Sequence, residues 1–393
     1  MTPSSKPHPE PDGIHALPPR ERMTPCAIKR RDLYARKPGA PFLHREFWLM
    51  SVTMDRWQRE DGLDPNANLQ ELFQLDPPGH LVLSGLGWCE SAFLPAFEVK
   101  QIEDRGEREV IQDTAGRHVL VFKGRREGFM PDYLDHPVKD LHTWNEQVKW
   151  RLNPDTPGRF DGLETQMKNA VEAAGCGLMI CQQLVGGYMY LRSLIGPEGL
   201  LYAVYDQPGL IHDCMDAWLK LADAVIARHQ QYVTLDEFFM AEDICYNHGL
   251  LISPDMMREF LFPYYRELIS RVRTRQLDPS RHLYIQVDTD GLADPAIPVY
   301  REIGLDVMCP FEVASGSDVV KLGRQWPELA MSGGIDKRVL ARGPAAIDRM
   351  VEGILPVMRR RGGYTPTVDH GVPPETPLAN YLHYRRRCVE LGG

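Results

Sequence analysis

Two aspartates, Asp288 and Asp290, directly follow the apolar run LYIQV and are separated by one residue. Residues two apart project from the same side of an extended chain, so the two carboxylates could share a cation or a proton. His370 and Glu242 follow other apolar runs, and with Asp288 they would form a mixed oxygen and nitrogen site suited to Zn²⁺. The opposing interpretation is that an Asp-Gly pair after a strand, and the Asp-His-Gly triplet around His370, are ordinary turn residues.

Further polar residues follow the apolar runs and are candidates for catalysis or substrate contact. The run EFFMA is followed by Glu242, Asp243, Tyr246, Asn247 and His248. Glu312 ends the run VMCPF before a flexible Ala-Ser-Gly-Ser segment, so it is either a catalytic carboxylate or an acceptor that anchors the loop. We predict catalytic roles for Glu242, Asp288, Glu312 and Tyr246, and substrate contacts for Asn247, His248 and Asp290.

Two glycine pairs mark places where the backbone can approach a ligand closely. The pair Gly333-Gly334 precedes Asp336, Lys337 and Arg338, which either hold an anion at the start of the next helix or form a surface salt-bridge cluster. The pair Gly186-Gly187 precedes Tyr188, which either lines a pocket for an organic ligand or belongs to the core. We predict substrate contact for all four polar residues.

Six apolar runs alternate with helical segments in the second part of the chain, the pattern of repeated βα units. They read GLMICQQ, EFFMAED, LYIQVDT, DVMCPFE, LAMSGG and YTPTVDH. Ser253 and Pro254 mark one helix start, and Pro263 predicts a kink in that helix. Because no glycine-rich nucleotide motif follows a strand, a closed (β/α)8 TIM barrel is favoured over an open nucleotide-binding sheet. The polar residues that follow the strands of such a barrel converge on one mouth.

The domain organisation follows from shifts in composition. Residues 1–20 are polar and rich in proline, which predicts a flexible N-terminal arm. Residues 21–393 are predicted to form a single barrel domain. Within it, the β-rich runs FEVKQIED and RHVLVFKG with their intervening turns predict a β-hairpin insertion at about 95–124.

Composition and charge exclude several classes of protein. The 393 residues are 43% hydrophobic and 25% charged, as in soluble globular proteins. A net charge of −9 without a sustained basic run argues against nucleic acid or an anionic membrane as a partner. The eight cysteines include no C-x-x-C pair, and neither a signal-peptide core nor an apolar stretch of membrane-spanning length is present. We therefore expect a cytoplasmic enzyme with free thiols that acts on a small molecule.

Three segments resemble the uroporphyrinogen decarboxylase superfamily. They are EDICYNHGLLISPDMMREFLFPYYREL from Glu242, GGIDKR from Gly333, and GGYTPTVDHGVPPETPLANYLHYRR from Gly362. The resemblance begins near Arg20, is strongest after residue 240, and implies a (β/α)8 barrel with its site at the C-terminal ends of the strands. The superfamily includes cofactor-independent porphyrinogen decarboxylases and cobalamin-linked methyltransferases, whose zinc is held by a His-x-Cys pair and a later Cys.

The chain departs from both of these branches. The R-Q-A-G-R-Y-type motif of the decarboxylases, whose arginines bind substrate carboxylates, is replaced by HREFWLMSVTMDRW, which keeps Arg45 and Arg56. The three zinc-ligand positions of the methyltransferases correspond to Gln286, Asp288 and His370. Carboxylate and imidazole in place of thiolates would make a bound metal a stronger Lewis acid, suited to activating an ether or hydroxyl oxygen.

The resemblance and these departures lead to the hypothesis of a metal-dependent methyltransferase of the demethylase type. It would move a methyl group from a methoxylated or N-methylated small molecule to a corrinoid (cobalamin) on a partner protein. Zn²⁺ held by Asp288, His370 and Glu242 would polarise the leaving atom, and the substrate would be positioned by Tyr246, Asn247 and Glu312. The alternatives are a cofactor-independent decarboxylase or lyase acting on a small carboxylated substrate, and a barrel that binds a ligand without turnover. The sequence leaves open whether the chain forms a homodimer.

Overall fold

The structure is a computed structural model, and it describes residues 16–124 and 131–393. Most of the predicted arm at 1–20 lies outside the described residues. The α-helices in the described residues are α1 Pro25–Tyr34, α2 Ser51–Glu60, α3 Leu69–Leu72, α4 Leu141–Thr143, α5 Leu163–Gly175, α6 Gly187–Ile195, α7 Pro197–Asp206, α8 Pro208–His229, α9 Pro254–Phe260, α10 Phe262–Arg275, α11 Ala296–Tyr300, α12 Val319–Gln325, α13 Pro344–Arg361 and α14 Leu378–Gly392.

The strands in the same residues are β1 Trp48–Leu49, β2 His80–Leu83, β3 Lys100–Arg105, β4 Arg108–Gln112, β5 His118–Phe122, β6 Asp132–Asp135, β7 Met179–Val185, β8 Glu237–Ala241, β9 Cys245–Tyr246, β10 Gly249–Leu250, β11 Tyr284–Asp288, β12 Leu305–Cys309, β13 Ala330–Ser332, β14 Tyr364–Thr365 and β15 Gly371–Val372. Each of the six apolar runs in the sequence overlaps one strand of the central sheet, from β7 to β14.

The central sheet has seven parallel strands in the order β14, β13, β12, β11, β8, β7, β2. Helices connect consecutive strands, and the sheet curls into the predicted TIM-barrel fold. A segment at 43–47 that is not a strand lies between β14 and β2. The carbonyl of His44 accepts from the amide of Asp76 on the β2 side at 2.8 Å, and the carboxylate of Glu46 accepts from the amide of Val368 on the β14 side at 2.9 Å. This segment therefore links the chain next to β2 with the chain next to β14.

The helix predicted after Ser253 begins and breaks where its sequence indicates. The Ser253 hydroxyl accepts from the amide of Met256 at 3.2 Å, and Pro254 is the first residue of α9. The chain leaves α-helical structure at Leu261 and resumes as α10, which carries Pro263 in its first turn. Proline lacks an amide proton and cannot continue the hydrogen bonding of a preceding helix, which explains the break.

The β-rich insertion is an antiparallel four-stranded sheet in the order β3, β4, β5, β6. It extends beyond the predicted hairpin at about 95–124, because β6 adds a strand that ends at Asp135. No helix in the described part of the chain is both long and apolar enough to cross a membrane.

Candidate active site in the barrel cavity

A cavity of about 1170 Å³ occupies the interior of the barrel. It is bounded by inward-facing strand residues, by α1 and by residues 43–50, and it is large enough for a small organic molecule. Its two ends carry different sets of polar groups. The upper cluster, at the C-terminal ends of the strands, consists of Asp243, Asp288, Asp290, Cys309 and His370. The lower cluster, near their N-terminal ends, consists of Arg30, Tyr34, His80, Cys181 and Glu237.

Aromatic side chains form part of the cavity wall. Trp88 stacks on Phe239 with ring centroids 5.0 Å apart and planes inclined by 14°. Phe47 and Trp48 contact the ring of His370 at centroid distances of 5.5 and 5.8 Å. Flat aromatic surfaces of this kind suit a planar, largely apolar ligand that lies below the upper cluster.

Asp288, the last residue of β11, is the most deeply buried acid of the upper cluster, with 8% of its surface exposed. Its only side-chain hydrogen bond among the described residues comes from the Cys309 thiol, whose sulfur lies 3.5 Å from Asp288 Oδ1. Burial, with the nearby charges of Asp290 and Asp243, holds the pKa of Asp288 well above its usual range. The carboxyl group therefore favours its neutral form unless a cation is bound beside it.

The other members of the upper cluster are paired with each other or with a neighbour. His370 Nε2 lies 3.3 Å from Asp290 Oδ2, and the hydrogen bond with this carboxylate raises the pKa of the imidazole. Arg192 of α6 contacts the Asp243 carboxylate at 2.8 Å. Asp288 and Asp290 thus line one cavity with His370, as the sequence predicted for residues that follow the barrel strands.

Cys309 belongs to this cluster, although the sequence analysis predicted no role for it. It ends β12, and the parallel register of β11 and β12 pairs it directly with Asp288. Gln286 Nε2 donates a hydrogen bond to the Cys309 sulfur at 3.3 Å. The signal in the sequence was positional, because Asp288 and Cys309 end consecutive strands.

The donor types of the upper cluster fit a divalent cation. Carboxylate oxygen, imidazole nitrogen and thiol sulfur are the ligands that zinc takes in proteins, and a cation beside Asp288 would favour the ionised form of its carboxyl group. In the described residues, no three of these donors lie within 4.8 Å of one another, so the cluster is not preassembled as a metal site.

Glu242 is not placed as a metal ligand, which corrects the predicted set of Asp288, His370 and Glu242. It has no exposed surface and does not line the cavity. Its Oε1 accepts hydrogen bonds from Tyr265 at 2.5 Å and Tyr300 at 2.6 Å. Burial raises the pKa of Glu242 to about 7, against the opposing effect of these tyrosine hydroxyls. The Glu242 side chain is therefore buried behind the barrel wall, where it holds Tyr265 and Tyr300 by hydrogen bonds.

The predicted contacts at Tyr246, Asn247, His248 and Tyr188 also lie outside the cavity lining. The first three form the exposed turn of the β9–β10 hairpin, where Tyr246 has 45% of its surface exposed. Tyr188 is buried in the first turn of α6, in agreement with the core alternative. A direct role for these residues stays a prediction for a ligand that reaches beyond the cavity.

Glu312 and the Asp336-Lys337-Arg338 turn form a network that ties neighbouring loops together. Glu312 accepts from the amide of Gly291 at 2.9 Å and from Lys337 Nζ at 3.2 Å, which corresponds to the loop-anchoring alternative. Asp336 pairs with Arg338 at 2.8 Å, as in the salt-bridge alternative. None of these four residues lines the cavity. They hold the loop that carries Asp290.

The lower cluster is built around a buried ion pair. Arg30 Nη2 contacts the two Glu237 oxygens at 2.8 and 3.2 Å, and the Tyr34 hydroxyl donates to the same carboxylate. Although burial alone would raise it, the charge of Arg30 lowers the pKa of Glu237 to about 2. His80, Cys181 and Glu237 are the one group of three metal-ligand types within 4.8 Å of one another in the described chain.

Comparison with solved structures supports the fold. A methyltransferase from Methanosarcina mazei matches with a TM-score of 0.53 and 17% identity, covering 92% of this chain and 98% of that protein. At this identity the likeness shows the fold alone. Xylanase B from Clostridium stercorarium F9 matches with a TM-score of 0.31 and 14% identity over 56% of this chain and 75% of its own, which is too weak to carry an argument.

No curated protein is similar enough to the chain to be matched. The sequence profile of the uroporphyrinogen decarboxylase (URO-D) family matches residues 151–389, which contain six of the seven strands of the central sheet and the whole of the upper cluster. This agrees with the resemblance seen in the three sequence segments and with the barrel. The chain belongs to the uroporphyrinogen decarboxylase (URO-D) family.

Proposed function

We propose that this URO-D family member is a methyltransferase of the demethylase type. It takes a methyl group from a methoxylated or N-methylated small molecule and passes it to a corrinoid held by a partner protein. The observation that carries the proposal is the distribution of charge in the barrel cavity, where the acids are concentrated at the strand ends and most cations are already neutralised.

Three of the four arginines that line the cavity are paired with carboxylates of the chain itself. The pairs are Arg30 with Glu237, Arg192 with Asp243, and Arg117 with Asp113 and Glu90. Among the described lining arginines, only Arg45 has no carboxylate within 4.0 Å. A substrate with several carboxylates would meet one arginine without a carboxylate partner, beside the acidic groups of the upper cluster. The cavity therefore favours a substrate without multiple negative charges.

Different residues of the cavity have different roles in the proposed reaction. The bond between the methyl carbon and the substrate oxygen or nitrogen would break with its electron pair left on that atom, and the reduced corrinoid of the partner would supply the electron pair of the new bond to the methyl carbon. Trp88 and Phe239 hold the flat body of the substrate, while Asp288 and His370 face the leaving atom. The apolar part of the wall excludes water from the reacting bond.

A divalent cation bound by the upper cluster would polarise the leaving oxygen or nitrogen and stabilise the negative charge that develops there. Asp288 and His370 would be among the residues that hold it. The fold shared with the Methanosarcina mazei methyltransferase is compatible with this reaction, and the proposal rests on the cavity of this chain.

A decarboxylase acting on a small carboxylated substrate is the second candidate. The observation that favours it is Arg45, whose pKa is lowered by burial and by the nearby charge of Arg30. A half-buried cation without a carboxylate partner could hold a single substrate carboxylate. It could not neutralise the many carboxylates of a porphyrinogen.

A methyl-transfer assay tests the proposal. The full chain is incubated with methoxylated aromatic compounds or methylamines and with a chemically reduced corrinoid, and methylated corrinoid is followed by its absorbance. We expect transfer with at least one donor, reduced about 100-fold or more by Asp288→Ala and by His370→Ala. Asp294→Asn, a change to an aspartate bonded to Ser317 outside the cavity, should leave the rate unchanged. No transfer with any donor, together with release of CO₂ from a carboxylated compound, would establish the lyase instead.

A further inference from the structure

The β-rich insertion forms part of the wall of the barrel cavity. Arg117, Tyr133 and, directly after β6, His136 line the cavity, although they precede residues 151–389, which the family profile matches. The end of the insertion is fixed to α6, because the amide of Val138 donates a hydrogen bond to the carbonyl of Leu194 at 3.0 Å. One side of the cavity is therefore formed by a part of the chain that lies outside the family profile.

His136 approaches the junction of α6 and α7 closely. Gly196 lies at this junction with φ +92°, and a Cβ atom there would be only 2.7 Å from His136 Nδ1. A side chain at position 196 would displace the imidazole, so this contact requires glycine. The imidazole is thus packed on the backbone at Gly196, with its ring centroid 6.0 Å from that of Tyr133.

Tyr133 and His136, here called the insertion wall, carry polar atoms without a protein partner. Among the described residues, no group forms a hydrogen bond with the Tyr133 hydroxyl or with either ring nitrogen of His136. The Arg117 guanidinium lies over the Tyr133 ring, 4.9 Å from its centroid, and restrains the orientation of that ring. Polar groups that line a cavity and lack a partner in the protein are available to a ligand.

The insertion wall is electrically neutral at pH 7. Burial, with the charges of Lys139 and Arg117, lowers the pKa of His136 to about 4, so the imidazole has one donor and one acceptor nitrogen. Burial also raises the pKa of Tyr133, which keeps its hydroxyl protonated. Arg117 is already paired with the Asp113 carboxylate at 2.7 Å. A ligand group that carried a charge would lose hydration here without gaining a counter-charge, so the wall suits an uncharged polar group.

The insertion wall lies beside the surface that is proposed to hold the substrate ring. Cys89 follows Trp88 in the chain and also lines the cavity. Cys89 is close enough to Tyr133 to contribute to the raised pKa of that tyrosine, and Asp243 of the upper cluster contributes in the same way to the raised pKa of Cys89. A ring held by Trp88, with its methyl group at the upper cluster, would therefore present another of its substituents to the insertion wall.

We propose that Tyr133 and His136 form a subsite for an uncharged hydroxyl group on the ring of an aromatic methyl donor. A hydroxyl group donates one hydrogen bond and accepts others, which matches the acceptor nitrogen of His136 and the hydroxyl donor of Tyr133. The inference rests on the proposed function for the identity of the ligand as a methoxylated aromatic compound. It assigns the selection among such compounds to the insertion.

Binding of simple probes tests the subsite without an activity measurement. The full chain is titrated with methoxybenzene and with each methoxyphenol isomer, which adds one hydroxyl group, and ligand-observed NMR gives the dissociation constants. We expect at least one methoxyphenol to bind the wild type about tenfold more tightly than methoxybenzene. Tyr133→Phe and His136→Ala should each reduce this ratio to about threefold or less, because each removes one hydrogen bond to the hydroxyl group.

Two matched variants control for the loss of a tyrosine hydroxyl or an imidazole elsewhere. Tyr202→Phe and His142→Ala change exposed residues that do not line the cavity, and both should keep the wild-type ratio. Circular dichroism of each variant measures its folding. If His136→Ala does not fold, Tyr133→Phe decides alone, because it removes a single oxygen atom and keeps the ring under Arg117.

The outcomes separate this inference from the proposed function. A wild type that binds no probe, or that binds methoxybenzene as tightly as every methoxyphenol, overturns the subsite, as does a preference that survives in the folded insertion-wall variants. If the preference depends on the insertion wall but no methyl donor is used, the subsite stands and the proposed reaction fails. If methyl transfer occurs and the variants keep the wild-type preference, the reaction stands and the subsite fails.

Discussion

The two ends of the barrel cavity contain the same kinds of side chain in opposite electrostatic surroundings. Each end has a histidine and a cysteine that line the cavity and a buried carboxylate beside them: His370, Cys309 and Asp288 above, and His80, Cys181 and Glu237 below, where Glu237 lies behind the cavity lining. Arg30 neutralises the lower carboxylate, whereas two further aspartates surround the upper one. The comparison teaches that the types of donor do not define a metal site, because the neighbouring charges decide whether a cation is stabilised there.

The largest expected effect comes from breaking the lower ion pair. Glu237→Ala leaves the buried Arg30 guanidinium without its counter-charge, and we expect the free energy of unfolding to fall by about 3–5 kcal/mol. The double variant Arg30→Met with Glu237→Leu removes both charges and should lose less. Urea denaturation at pH 7 gives the free energy of unfolding of the wild type, of Glu237→Ala and of the double variant. If the double variant is as unstable as Glu237→Ala, the lower cluster is not held by its charges.

A smaller effect is expected from Glu242, a buried carboxyl with neither an arginine nor a proposed metal beside it. Because its folded-state pKa is raised to about 7, its favourable contribution is complete below the unfolded value of about 4.5 and is lost as the pH rises to 7. Glu242→Gln cannot ionise. Its stability relative to the wild type should therefore rise between pH 4.5 and 8, by up to about 3 kcal/mol at 1.36 kcal/mol per pKa unit.

Urea denaturation of both proteins at pH 5 and pH 8 checks this prediction. The difference between the two proteins isolates Glu242 from the other groups that titrate in the same range. A difference that is the same at both pH values would show that Glu242 does not titrate in the folded state as the burial of its carboxyl predicts.

The smallest effect on stability is expected at the upper end. Asp288→Asn keeps the shape of a carboxyl group that favours its neutral form, so the metal-free protein should change by no more than about 1 kcal/mol. The same substitution should remove tight metal binding, because an amide is a weaker ligand than a carboxylate. Calorimetric titration with Zn²⁺ and urea denaturation of the chelator-treated protein measure the two properties. A large loss of stability would place Asp288 with the structural groups of the lower end.

The barrel and the upper acids could be predicted because they depend on local patterns. Apolar runs followed by polar residues located the strand ends, and Asp288, Asp290 and His370 do line one cavity. Ser253 and Pro263 likewise act through their own backbone, and both mark the ends of helical segments as expected. A few residues that are adjacent in the sequence are enough to determine such features.

The features that the sequence did not reveal depend on contacts between distant segments. Glu242 and Asp243 both follow β8, but only long-range packing against Tyr265 and Tyr300 directs Glu242 into the wall. No role was predicted for Cys309, because its neighbour Asp288 lies on the adjacent strand and is brought beside it only by the strand register. Arg30, far away in the chain, decides the charge of the lower end.

The central claim is that the chemistry takes place at the strand ends, on a cation held by the upper cluster. The most direct measurement is a crystal structure of the full chain grown with zinc, with anomalous diffraction recorded on both sides of the zinc absorption edge. The account predicts an anomalous peak in contact with Asp288 and His370. A peak between His80, Cys181 and Glu237, or no peak inside the barrel, would contradict it.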